Sequence, residues 1–181
     1  MNLANKITIA RVLMIPIFMI ILFSGINNSN YIAAIIFAIA AATDGLDGHI
    51  ARSRNQITTF GKFIDPLADK LLVSSALICM IQLGQVPAWI VVVIIAREFT
   101  ITGFRIIAAS EGITIAASPL GKIKTSTQLI AIISILIGNF PFKYINFPFD
   151  IIMLYIALFF TVLSGIDYLY RNREVLKTGD K

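Results

Sequence analysis

The stretch TDGLDGHIARSRNQITTFGKFIDPLADK, residues 43–70, lies between two long apolar segments and carries the aspartates Asp44, Asp47, Asp65 and Asp69. The whole chain has only 10 acidic residues, so carboxylates are concentrated in this short region. The flanking residues are mostly Ile, Leu, Ala, Val and Phe. We therefore expect the apolar segments to determine the fold and the aspartates to mark a functional site at their ends.

The composition of the chain predicts a membrane protein. Of the 181 residues, 57% are hydrophobic and 14% are charged, whereas about 25% charged residues are usual in soluble domains. Charge-free runs cover residues 12–43, 71–96, 125–142 and 151–166. A soluble protein of this size has too little interior to bury these runs, whereas a helix of about 20 apolar residues spans a bilayer.

Polar breaks divide the apolar sequence into six predicted transmembrane helices, and no internal repeat is visible. We predict one domain over residues 1–181, with a short cytoplasmic N-terminal segment and a polar C-terminal tail. The first span has no clear small-x-small cleavage site after it, so we expect it to be retained. The predicted spans cover approximately residues 7–23, 31–52, 65–85, 88–109, 122–138 and 149–170.

The distribution of basic residues predicts that both termini face the cytoplasm. Of 15 Lys and Arg residues, Lys143 falls outside and Arg97 within the fourth span, which leaves thirteen on the inner side. Such a bias is typical of multi-pass proteins of the plasma membrane. The net charge of +5 therefore faces anionic lipid. Because the basic residues are not clustered with aromatic ones, nucleic-acid binding is not expected.

The spacing of the aspartates favours a metal site over solvated helix ends. Asp44 and Asp47 are three residues apart and Asp65 and Asp69 are four apart, so each pair shares a helix face. Antiparallel second and third spans would bring the two faces together, where four like charges repel each other without a counter-ion. Carboxylate oxygens suit Mg²⁺ or Mn²⁺, and two ions match four carboxylates.

The residues around the aspartates indicate a diphosphate ligand. Gly48, Ala51 and Arg52 lie on or near the acidic face, where small side chains allow a bulky ligand to approach. Arg52 supplies a cation suited to phosphate, and Thr58 and Gly61 offer a hydroxyl group and a close backbone approach. Together with metal ions, these residues predict a diphosphate site.

The same stretch resembles the signature of the CDP-alcohol phosphatidyltransferases, and every signature position is matched: Asp44-x-x-Asp47-Gly48-x-x-Ala51-Arg52, then eight residues, then Gly61-x-x-x-Asp65-x-x-x-Asp69. The resemblance implies an all-α integral membrane fold with six transmembrane helices, a homodimer and a cytoplasm-facing catalytic site. It also implies that the four aspartates hold two metal ions and that Asp69 serves as the general base.

The resemblance further implies a binding site for CDP-diacylglycerol. Its nucleotide contacts would be Gly48, Ala51, Arg52 and Gly61, together with Thr58 and with Asn5 and Thr8 of an N-terminal Asn-x-x-Thr element. In the implied reaction, an acceptor hydroxyl attacks the lipid-side phosphorus and CMP leaves.

The acceptor must be inferred from residues outside the signature. Arg97, Glu98 and Arg105 lie in the fourth span, and Lys122 and Lys124 open the fifth near the same membrane face. The cations look like a pocket for an anionic substrate, although an internal ion pair remains an alternative for the fourth span. The runs AREFTITGFR and GKIKT resemble the branch of the family whose acceptor is sn-glycerol 3-phosphate.

Sibling synthases that use inositol phosphate, serine or another alcohol remain the open alternative. A metal transporter is disfavoured because Asp150 is the only acid predicted on the outer side. Aspartate-rich prenyltransferases are disfavoured because they place two acidic motifs far apart in sequence. The single histidine, His49, is expected to be a bystander at the membrane interface.

Overall fold

A computed structural model of the protein describes the backbone of residues 3–53, 59–110, 112–113, 115 and 118–173. Side chains are described for residues 7–43, 67–109, 112–113, 115 and 118–173. Within the described backbone the protein is all-α, without strands. The six α-helices are α1 (Leu3–Phe23), α2 (Ser29–Ser53), α3 (Thr59–Gln82), α4 (Ala88–Ser110), α5 (Pro119–Leu136) and α6 (Phe149–Arg171).

These helices lie where the apolar runs predicted them, and the starts of α1, α3 and α5 differ most from the predicted starts. The first helix begins at Leu3, four residues before the predicted start. The third begins at Thr59, six residues before its predicted start, and the fifth begins at Pro119, three residues before its own. A short 3₁₀ helix, Phe142–Ile145, was not predicted. The differences arise because hydrophobicity indicates where a chain would meet lipid, whereas helical hydrogen bonds can begin in the polar sequence before that point.

Glycine residues end the third and fourth helices in the same way. Gly84 has a φ of 69°, and its N–H donates to the carbonyl oxygen of Ile81 while Gln85 N–H donates to Met80. Gly112, with a φ of 73°, follows α4 in the same arrangement. This left-handed conformation is accessible to glycine without steric strain, and it reverses the chain immediately after the helix.

The helices pack around one main apolar cluster to which all six contribute. Phe18 of α1 and Phe37 of α2 are fully buried, and their ring centroids are 6.1 Å apart. A smaller cluster joins α4 and α6 through Ile101, Phe104 and Tyr168. The smaller cluster lies beside the polar site described below and fixes α4 against α6.

Every helix also exposes large apolar side chains, among them Ile20, Ile35, Ile78, Val92, Ile130 and Phe159. Among the described residues, α6 is the helix whose length and apolar composition suffice for it to cross a membrane. Shorter apolar helices cover Ile7–Phe23 and Ser29–Thr43. The predicted all-α fold of six helices is thus confirmed, while the crossing of a membrane by all six stays a prediction.

Candidate active site

A polar cavity of about 400 Å³ lies among α3, α4, α5 and α6. It is lined by charged side chains from three helices, with four basic groups against two acidic groups: Asp69, Lys70, Arg97, Glu98, Arg105 and Lys122. The cavity lies near the C-terminal end of α4 and α6 and the N-terminal end of α5. Its excess of positive charge suits an anionic ligand.

Arg105 is held at the cavity wall by α6. Its Nε donates a hydrogen bond to the hydroxyl oxygen of Tyr168 at 3.0 Å. Its Cζ lies 5.4 Å from the centroid of the same ring. Tyr168 is itself fixed by edge-to-face packing on Phe104, with 5.9 Å between ring centroids. A flexible arginine side chain is thereby held by a buried phenol.

Arg97, Glu98 and Lys124 form a partly buried ionic network, of which Lys124 is the most buried member. Arg97 Nη1 donates to Glu98 Oε1 at 3.0 Å, and Lys124 Nζ donates to the same oxygen. Arg97 Nη2 donates to Ser164 Oγ at 3.0 Å. The ion pair considered as an alternative for the fourth span therefore exists. Glu98 pairs with Arg97 of the same helix and also with Lys124 of α5. A buried carboxylate requires such partners, since an unpaired charge there would cost several kcal/mol.

The predicted acceptor-binding cations are divided between two cavities. The polar cavity of about 400 Å³ is lined by Arg97, Arg105 and Lys122. Lys124 lines a neighbouring cavity of about 30 Å³ with Glu98. Asp69 lies on the wall of both cavities. Among the predicted cations, Arg105 and Lys122 are exposed at the cavity edge, whereas Lys124 is buried and paired with Glu98.

The N-terminus of α5 also borders the polar cavity of about 400 Å³. Ser118 is the N-cap, and its Oγ accepts a hydrogen bond from Gly121 N–H at 3.1 Å. Both residues line the cavity, so the positive end of the helix dipole adds to the side-chain cations. Ser118 was missed at the sequence level, although a serine directly before a proline is a recognisable start of a helix.

Buried polar residues of α1 pack near the start of the acidic stretch. Arg11 is almost fully buried, and its Nε lies 3.4 Å from Thr43 Oγ1, to which it donates. Thr43 directly precedes Asp44 in α2. Thr8, one of the predicted nucleotide contacts, is fully buried one turn before Arg11. From the sequence, Arg11 is predicted only as one of the basic residues on the cytoplasmic side.

Most predicted donor and metal residues lie outside the described side chains. For the part of the chain whose side chains are described, no group of three potential metal ligands occurs, since Asp69 alone of the four aspartates belongs to it. The predictions that fall outside concern Asn5, Asp44, Asp47, Gly48, Ala51, Arg52, Thr58, Gly61 and Asp65.

Comparison with known proteins agrees with the family indicated by the acidic signature. A model of the CDP-alcohol phosphatidyltransferase family matches residues 1–163. A CDP-diacylglycerol--glycerol-3-phosphate 3-phosphatidyltransferase of Bacillus subtilis is 49% identical, over 99% of each chain. A probable phosphatidylglycerophosphate synthase of Mycobacterium tuberculosis is 39% identical, over 94% of this chain and 81% of the relative. An enzyme of Rickettsia felis with the same name as the Bacillus protein is 39% identical, over 92% and 93%.

The chain therefore belongs to the CDP-alcohol phosphatidyltransferase family. It is a transferase of phospholipid synthesis and is associated with membranes, as expected for an enzyme with a lipid substrate. Enzymes of this family generally depend on divalent metal ions. The resemblance inferred from the aspartates, glycines and Ala51-Arg52 is confirmed over most of the chain.

Proposed function

We propose that this protein transfers the phosphatidyl group of CDP-diacylglycerol to sn-glycerol 3-phosphate, which releases CMP and forms phosphatidylglycerophosphate. The names of its relatives support this activity. The observation that carries the proposal is the cavity of about 400 Å³, which has an excess of basic groups and Asp69 on one wall. An anionic acceptor and a general base would meet there.

The acceptor phosphate is proposed to bind between Arg97, Arg105 and Lys122. These cations approach the cavity from α4 and α5, and arginine in particular can donate two parallel hydrogen bonds to a phosphate. The N-terminus of α5 would add its dipole. Lys124 is proposed to support this site through Glu98, to which its ammonium group is bound.

The donor is proposed to bind on the other side of Asp69, along α1, α2 and the start of α3. The nucleotide contacts predicted from the family signature are Asn5, Thr8, Gly48, Ala51, Arg52, Thr58 and Gly61. The burial of Thr8 and Arg11 supports close packing of α1 against this part of α2. Arg52 is proposed to bind the diphosphate, so donor and acceptor would use different arginines.

The predicted ligand set suits divalent metal ions. Its donors are carboxylate oxygens, which Mg²⁺ and Mn²⁺ prefer, and the described member, Asp69, lies beside the polar cavity of about 400 Å³. We propose that Asp44, Asp47, Asp65 and Asp69 hold two such ions. When bound, the ions neutralise the charge of the diphosphate and of the departing CMP.

Asp69 is proposed to act as the general base. Its carboxylate would take the proton of the acceptor hydroxyl while the hydroxyl oxygen forms a bond to the lipid-side phosphorus. The bond from that phosphorus to the CMP oxygen breaks, and CMP leaves with the bonding electron pair. The cations of α4 would hold the acceptor so that its hydroxyl group points at the phosphorus.

We propose that all six helices cross the plasma membrane and that the protein forms a homodimer. Both termini and the site are proposed to face the cytoplasm. The apolar outer faces of the helices and the inner excess of basic residues support this arrangement. In a Cys79→Ser background, we expect an impermeant thiol reagent to label Asn27→Cys but not Ser53→Cys in intact cells. Labelling of Ser53→Cys from outside would contradict the orientation.

The proposed activity is tested by CMP release from CDP-diacylglycerol with different acceptors. The purified protein should release CMP with sn-glycerol 3-phosphate and form phosphatidylglycerophosphate. Inositol phosphate, serine and free inositol should support little release, and serine and inositol lack a phosphate for the basic cavity. Release with serine or inositol phosphate, and none with glycerol 3-phosphate, would overturn the acceptor while leaving the family assignment intact.

A further inference from the structure

Helix α6 contributes polar contacts to the site although it carries none of the predicted site residues. Its buried face includes Ser164, Gly165 and Tyr168. Ser164 accepts a hydrogen bond from Arg97, and Tyr168 accepts one from Arg105. Both arginines belong to α4 and line the cavity. One helix therefore holds both of the cavity's arginines in place.

The contact between Tyr168 and Arg105 fixes the guanidinium in a defined way. Tyr168 is 2% exposed, and its ring packs edge-to-face on Phe104, so the position of its hydroxyl is set by the core. The hydrogen bond uses Arg105 Nε. It leaves the two terminal amino groups as possible donors to oxygens of one phosphate.

The contact between α6 and Arg97 depends on two neighbouring residues. Ser164 accepts from Arg97 Nη2 at 3.0 Å and donates to the carbonyl oxygen of Thr161. A Cβ atom on Gly165 would lie 3.2 Å from Arg97 Cγ, closer than ordinary packing allows. Glycine thus lets the stem of Arg97 pass against α6, and serine fixes its end.

We propose that Ser164 and Tyr168 are positioning residues that set the affinity of the cavity for an acceptor bearing a phosphate monoester, by orienting Arg97 and Arg105. This inference rests on the proposed function. The two residues act through the arginines, so their loss affects binding of the acceptor and not of the lipid donor. An arginine with a mobile guanidinium must lose more conformational entropy on binding a phosphate.

The first test is Tyr168→Phe, which removes the hydroxyl and keeps the ring packed on Phe104. We expect KM for glycerol 3-phosphate to rise about tenfold, as for a lost hydrogen bond to a charged group. The KM for CDP-diacylglycerol and kcat should stay within about twofold. Tyr170→Phe is the matched control, because Tyr170 lies on the same helix and is 68% exposed; it should change none of these values.

The second test is Ser164→Ala, with Ser134→Ala as its control. Both serines are buried and donate to carbonyl groups of their own helices, but Ser164 also accepts from Arg97. The acceptor KM should rise several-fold in Ser164→Ala and stay unchanged in Ser134→Ala. This pair keeps the proposal testable if Tyr168→Phe fails to fold.

A double-mutant cycle separates positioning from general support of the fold. If Tyr168 acts through Arg105, then adding Tyr168→Phe to Arg105→Lys should raise the acceptor KM no further. Unchanged acceptor KM values in both Tyr168→Phe and Ser164→Ala, equal changes for donor and acceptor, or full additivity in the cycle would overturn the proposal. A wild-type protein that releases no CMP with glycerol 3-phosphate would contradict the proposed function, and this inference with it.

Discussion

Cavities of similar volume lie at the two ends of the helical bundle, and they differ in their chemistry. The cavity among α3 to α6 is lined by six charged side chains in about 400 Å³. Two cavities at the opposite end measure about 490 and 500 Å³, and Lys143 is the single charged residue among their described lining. Their walls are formed mainly by apolar and aromatic side chains such as Pro87, Tyr155 and Phe140.

The comparison shows that volume does not identify the site of this protein, whereas charge does. Charged groups within a helical bundle cost several kcal/mol each unless they are paired or solvated. At one end, Glu98 pairs with both Arg97 and Lys124, which leaves one positive charge in excess, and Arg105 and Lys122 add to the positive charge of the cavity of about 400 Å³. A fold that needed only stability would have no use for this excess.

The largest expected effect is the loss of activity when divalent metal ions are removed. Excess EDTA should abolish CMP release because the aspartates and the diphosphate would repel each other without cations. Mg²⁺ or Mn²⁺ should restore the activity, and Na⁺ at equal ionic strength should not. Release of CMP at the full rate in excess EDTA would show that the reaction does not require divalent metal ions.

The second effect concerns the carboxylates at the two ends of the bundle. Asp69→Asn should reduce CMP release by about 10²–10⁴-fold, because the amide cannot accept the acceptor's proton. Asp150→Asn, a matched change at the opposite end, should leave the rate within about twofold. Near-normal release by a well-folded Asp69→Asn protein would place the base elsewhere.

Much of the fold could be predicted from the sequence because apolar runs and helices coincide. The apolar runs predict the six helices, and the acidic stretch indicates the family. The predicted starts of α1, α3 and α5 are too late, because polar residues such as Thr59 and Ser118 begin helices without a change in hydrophobicity. Ser118 before Pro119 could have indicated the earlier start.

From the sequence, site residues could be predicted only where their type is unusual in the segment that contains them. Charged residues in apolar segments are such a case. The structure places three of them around one cavity: Arg97, Arg105 and Lys122. Ser164 and Tyr168 are ordinary residues of an apolar helix. Their contacts depend on how α4 packs on α6, which hydrophobic periodicity does not specify. The pairing of Lys124 with Glu98 could not be predicted for the same reason.

The charged cavity is proposed to bind the phosphate of the acceptor. The most direct measurement compares KM values for both substrates in Arg105→Gln and Lys122→Gln, with Lys143→Gln at the opposite end as control. Loss of a charge-assisted contact, worth about 1.5–3 kcal/mol, should raise KM for glycerol 3-phosphate about tenfold or more in Arg105→Gln. Lys122→Gln should give a smaller rise, because an ammonium group lacks the planar pair of donors with which arginine binds a phosphate.

In the same measurement KM for CDP-diacylglycerol should change by less than about twofold in all three variants, and Lys143→Gln should match the wild type for both substrates. Equal increases for donor and acceptor in Arg105→Gln and Lys122→Gln would mean that these cations support the fold alone. That result would contradict the assignment of the cavity to the acceptor.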